Sequence, residues 1–144
     1  MLIIAHIIFD AAMPAIALYF ESSMHRAGMS TSDITKALFM VPVIYATITF
    51  LSGFIADKAG RKTTVTLFSV TCVAGYILFV VGILNNWNPY LIGSFAGLYQ
   101  GSYWIGRDYM NVMMTEKVPT DIRASVVGAE GLLVIIGLAV GYIT

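Results

Sequence analysis

Charge is what this sequence has least of. Only 11% of its 144 residues are Asp, Glu, Lys or Arg, against about a quarter in ordinary soluble domains. The eight basic and eight acidic side chains cancel to a formal net charge of zero, so the basic surplus that nucleic-acid binding requires is missing. Cysteine is nearly absent as well. Cys72 stands alone, which excludes an internal disulfide, and its uncharged apolar surroundings mark an inert core thiol rather than a reactive one. The chain opens directly in an apolar run with no basic leader and no small-residue cleavage site, so no cleavable signal peptide is expected. What fills the chain is hydrocarbon: 58% of the residues are hydrophobic and the mean hydropathy is +0.83. A chain this short and this apolar has too little interior to hide such a surface from water, which points to the bilayer as its solvent.

Five apolar runs are long enough to span, at about 2–20, 34–56, 63–84, 89–114 and 123–144. Each matches the roughly 20 residues that a helix needs to cross a hydrocarbon core of about 30 Å. The expected fold is therefore all-α, a single polytopic transmembrane bundle over 1–144. Its connections carry helix punctuation: Ser30-Thr31-Ser32-Asp33 supplies an N-cap and a first-turn acid, and Asn85-Asn86-Trp87-Asn88-Pro89 is a short turn with an interfacial aromatic and a proline at a helix start. Lys58, Arg61, Lys62, Lys117 and Arg123 lie in alternate connections, against Arg26 and Lys36 on the other side. That bias places the 57–62 and 115–123 loops in the cytoplasm.

The densest charge cluster is Gly53-Phe54-Ile55-Ala56-Asp57-Lys58-Ala59-Gly60-Arg61-Lys62, between the second and third runs. It reads as a tight turn: Gly53 permits close backbone approach, and Gly60 permits a conformation that side chains resist. Its pattern resembles the loop motif between the second and third helices of each half of major facilitator superfamily transporters. Glu116-Lys117-Val118-Pro119-Thr120-Asp121-Ile122-Arg123 resembles the same family's link between the fourth and fifth helices, in the place where the first motif predicts it. The resemblance covers nearly the whole chain. It implies twelve helices in two halves built from inverted repeats, so this chain would be most of one half and would work with a missing other half. The region Gly93-Ser94-Phe95-Ala96-Gly97-Leu98-Tyr99-Gln100-Gly101 lacks the early arginine often found in the first half, which points to the second. The resemblance further implies a cytoplasmic gate in which Asp57, Arg61, Glu116 and Arg123 hold helix ends together in one conformational state.

Inside the runs, charge is costly and so marks candidate sites. Asp10 lies near the middle of the first run, with His6 four residues before it and Pro14 four after. Asp10 reads either as a proton- or substrate-binding carboxylate in a polar cavity or as a structural acid bonded to a neighbouring helix. On the fourth run Gln100, Trp104, Asp108 and Asn111 form a polar stripe, with Tyr103 and Arg107 beside it. In the family this helix and the first both line the central cavity, which the resemblance makes the expected place for solute. Arg107 either contacts an anionic or hydroxylated solute or pairs with Glu130, each about 11 Å deep at 1.5 Å per residue; Glu130 reads either as structural or gating or as a second titratable carboxylate of the substrate and proton cavity. Gly93, Gly97 and Gly101 form a ridge, and Gly137 and Gly141 repeat its spacing, which serves close helix packing within the chain or between copies.

The expected function is secondary active transport of a small solute by alternating access, with protons as a coupling ion. No cofactor, metal site, phosphate loop or nucleophile elbow is legible, and no nucleic-acid partner is expected. The expected location is an inner or plasma membrane. A non-transporting receptor on the same fold and a membrane-embedded enzyme are the competing classes; the enzyme would need Asp10, His6 and Asp108 at one depth.

Overall fold

The computed structural model of the chain describes residues 19–143, with side chains described to position 129 and beyond it at 131, 132, 135 and 139. Among the described residues the fold is all-helical: α1 Phe20–Arg26, α2 Thr31–Ala59, α3 Arg61–Leu84, α4 Pro89–Glu116 and α5 Arg123–Ile143. These residues fall into two compact units, Tyr19–Gly106 and the part from Arg107 on, and α4 passes from one into the other.

Local chemistry explains where the helices stop and start. Ser30 caps α2, its Oγ accepting from the Asp33 amide at 3.2 Å and donating to the Asp33 carboxylate at 2.8 Å. Asp33 also pairs with Lys36 at 2.8 Å. α1 and α3 both end in a paired-bond motif with a left-handed residue. At α1 that residue is Gly28 (φ +81°), with the Met29 amide donating to Met24 O and the Gly28 amide to His25 O. At α3 it is Asn86 (φ +50°), with Trp87 donating to Gly82 O and Asn86 to Ile83 O. Asn88 then caps α4 by accepting from the Tyr90 amide at 2.9 Å, with Pro89 as the first helical residue.

The unit Tyr19–Gly106 is packed around α4. On α4, Ile92, Ala96, Tyr99, Ser102, Tyr103 and Ile105 are all buried. The glycine ridge lies against α2: a Cβ on Gly93 would land on the Ala37 carbonyl, one on Gly97 would sit 2.7 Å from Val41 O, and one on Gly101 2.9 Å from Tyr45 Cδ2. At Gly93 and Gly97 the α2 backbone itself leaves no room for a side chain, and at Gly101 the Ile48 and Tyr45 side chains fill the space, so the ridge packs within the chain. On α3, Gly75 meets the backbone of Tyr99 and Gly82 meets Trp87 and Ile92. α1 closes the cluster through Phe20, whose ring lies 4.8 Å from Phe79 and 5.8 Å from Tyr99.

α2 and α3 bury narrow stripes and leave the rest outside. Ile34, Ala37, Val41, Ile44, Ile48 and Ser52 turn inward on α2 at helical spacing, while Phe39, Phe50 and Phe54 are exposed by more than half their surface. Both helices are long and apolar enough to cross a membrane by length and composition. A core helix of a water-soluble fold would be mostly buried, yet only 6% of the most apolar stretch of α2 is buried, and 33% of that of α3.

Four of the expected runs, 34–56, 63–84, 89–114 and 123–144, correspond to α2–α5; most of the first, 2–20, lies outside the described residues. Two differences matter. The charged stretch is no ten-residue turn, because α2 continues through Gly53 to Ala59 and the chain breaks at Gly60 alone. At Gly53 the expected close approach is replaced by open space, with no atom within 4 Å of an added Cβ. α1 is the second difference: residues 21–26 read as polar connection, but Phe20 and Met24 sit one turn apart and are both buried.

Candidate functional site

Gly60 joins α2 to α3 with φ +81° and ψ 156°. That region of backbone space is essentially reserved for glycine. The residue serves both helices: its amide donates to Ala56 O at 3.0 Å, and its carbonyl accepts from the Thr64 amide at 3.1 Å and the Thr64 hydroxyl at 3.0 Å. Thr64 is fully buried, so the turn is tied to the packed unit rather than left to move with solvent.

Several of the charges around this turn, and around the link between α4 and α5, share an electrostatic oddity. A helix carries partial positive charge at its N-terminus and negative charge at its C-terminus, which favours acids at the start and bases at the end. Asp57 sits in the last turn of α2, and Arg61 and Lys62 open α3. Glu116 is the final residue of α4 and Arg123 the first of α5. Asp57, Arg61, Glu116 and Arg123 therefore all stand at the end that disfavours their sign, at about 0.3–1 kcal/mol each at an exposed position. Lys58 in the last turn of α2, Lys117 just past the end of α4 and Asp121 just before α5 follow the rule, and Lys62 in the first turn of α3 does not. Arg123 also donates from Nη2 to the Val118 carbonyl at 3.3 Å, across the link. Asp57 and Arg61 belong to one unit, Glu116 and Arg123 to the other.

The polar stripe on α4 is divided in the same way. Gln100, Tyr103 and Trp104 fall in the unit ending at Gly106; Arg107, Asp108 and Asn111 fall beyond it. Tyr103 is buried, with 4% of its surface accessible, and its ring lies 5.3 Å from that of Trp104, edge to face. Gln100, Trp104 and Arg107 are half-buried, and Asp108 is exposed. His6 and Asp10 lie outside the described residues. Glu130 stands in α5 with its side chain outside the description, and positions 137 and 141 are likewise outside the described packing.

The sequence pattern passes over one feature. Between α4 and α5, in the unit from Arg107 on, a recess of about 80 Å³ is lined by Asn111, Met114, Thr115, Val126 and Val127 among the described residues. Asn111 and Thr115 one turn apart on α4 were the available signal, since two polar residues at that spacing share a face. Among the described residues no group of three His, Cys, Asp or Glu side chains is placed to hold a metal ion. Compared with known proteins, the chain matches no family model, no curated protein and no solved structure.

Proposed function

We propose that the chain is most of one half of a secondary transporter of the major facilitator type, embedded in an inner or plasma membrane and moving a small solute by alternating access. One observation carries this reading. The gate charges Asp57, Arg61, Glu116 and Arg123 stand at helix ends that disfavour them, so helix stability is not what put them there. A set of charges that pair in one conformational state and separate in the other gives them a purpose, because such a set biases a two-state equilibrium. The outward apolar surfaces of α2 and α3 support the membrane part of the reading, since single-copy burial leaves Phe39, Phe50 and Val70 uncovered. In this reading Asp10 and Glu130 supply the titratable carboxylates for proton coupling, and the α4 stripe faces the solute.

The test separates gating from folding. The full-length protein and its Arg61→Gln and Glu116→Gln variants are reconstituted in liposomes. Uptake of radiolabelled sugars, amino acids and organic anions is followed under an imposed proton gradient, beside thermal unfolding in detergent. The expected result is uptake of one solute class, cut at least tenfold in both variants, with unfolding midpoints unchanged or raised. Variants that transport normally, or that lose flux only as they lose stability, would remove the gating role. Asp10→Asn is expected to abolish uphill uptake and spare counterflow exchange.

A further inference from the structure

The recess between the end of α4 and the start of α5 has an unusual chemistry for its size. Met114, Val126 and Val127 give it apolar walls. Asn111 Oδ1 is buried on one side, and no hydrogen-bond donor among the described residues reaches it. Thr115 directs its own hydroxyl proton to the Val112 carbonyl at 2.9 Å, which leaves its oxygen lone pairs as acceptors. Asn111 Oδ1 and Thr115 Oγ1 are thus both acceptors, and no described donor is bonded to the first. A buried amide carbonyl in that position is normally met by an ordered water.

Size admits water and charge narrows the ligand further. A single water needs about 10–15 Å³ of room, and the recess offers about 80 Å³. The described lining contains no carboxylate, and a metal cation stripped of most of its hydration would need several hard oxygen ligands here. We propose that the recess holds water, with one water donating to Asn111 Oδ1 and bridging to Thr115 Oγ1. Its place gives it a use, which rests on the transport reading above: Val126 and Val127 lie one helical turn before Glu130 on α5, and Thr115 lies one residue before the end of α4. Water held here hydrates the helix pair between the 117–122 link and the turn that carries Glu130.

X-ray radiolysis tests the site without any transport assay, because radicals born from a held water oxidise the side chain beside it. Met114 lines the recess; Met113, also on α4 and half-buried like Met114, is absent from the recess lining and serves as the control. In the intact protein Met114 is expected to oxidise at least fivefold faster than Met113. Asn111→Leu and Thr115→Val should each reduce the Met114 rate severalfold, and Asn111→Asp, which keeps the acceptor, should preserve it. Helix content by circular dichroism identifies a misfolded variant, in which case Thr115→Val decides. Equal rates at Met114 and Met113, or a Met114 rate indifferent to the loss of the acceptor, would overturn the proposal. Because no flux is read, a dry recess and a protein that does not transport are distinguishable failures.

Discussion

Gly93, Gly97 and Gly101 on α4 and Gly53 on α2 belong to the same compact unit, and only the first three are used for contact. Where the ridge of α4 meets α2, an added Cβ would strike backbone at Ala37 or Val41. At Gly53, and at Gly128 and Gly131 in the other unit, the same added atom would meet nothing within 4 Å. Glycine permits close approach but does not compel it. The partner decides, and α2 supplies one with small or branched inward residues whose backbone is reachable along a single stripe.

Substitution turns that contrast into opposite signs. Gly93→Val should have the largest effect, because its added atoms fall on a backbone carbonyl that has no rotamer to give way; a loss of about 3 kcal/mol, at the upper end of overpacking costs, is expected. Reversible unfolding in detergent reads it, and a variant as stable as the parent would mean that α4 does not press on α2 there. Gly60→Val comes next, with about 1–3 kcal/mol for forcing a branched side chain into glycine-only backbone space. The same measurement checks it, and a loss under half a kcal/mol would show that the helix junction has another conformation available. The smallest effects should come from Gly53→Ala and Gly128→Ala, and with reversed sign. Each removes a flexible residue from a helix interior where nothing is displaced, so a gain of about 0.5–1 kcal/mol is expected; clear destabilisation at either would reveal a contact not made within the described residues.

Much of the helical layout was legible in advance, for reasons visible residue by residue. The bounds of α2–α5 follow apolar runs closed by Ser30, Gly60, Asn88-Pro89 and the Pro119 link, and capping depends on near neighbours alone. α1 was not legible. Its polar surface between Glu21 and Arg26 hides a two-residue anchor, Phe20 and Met24, whose value depends on Phe79 and Tyr99 being across from it. The candidate site was legible in part. Charge at depth and the loop motifs nominate residues, but spacing along α4 does not tell that Tyr103 is packed away while Asp108 is exposed. The orphaned oxygen of Asn111 is likewise a fact about which side chains come near, and no periodicity encodes it.

Composition and local order along the chain settle that it is helical and about how long α2–α5 run, because hydrophobic run length, capping and backbone preference act over a few residues. Packing settles the rest: which glycines touch, which aromatic residues are enclosed, and which polar atom is left facing a recess. Those outcomes depend on surfaces that lie tens of residues apart in sequence and acquire neighbours only when the helices come together.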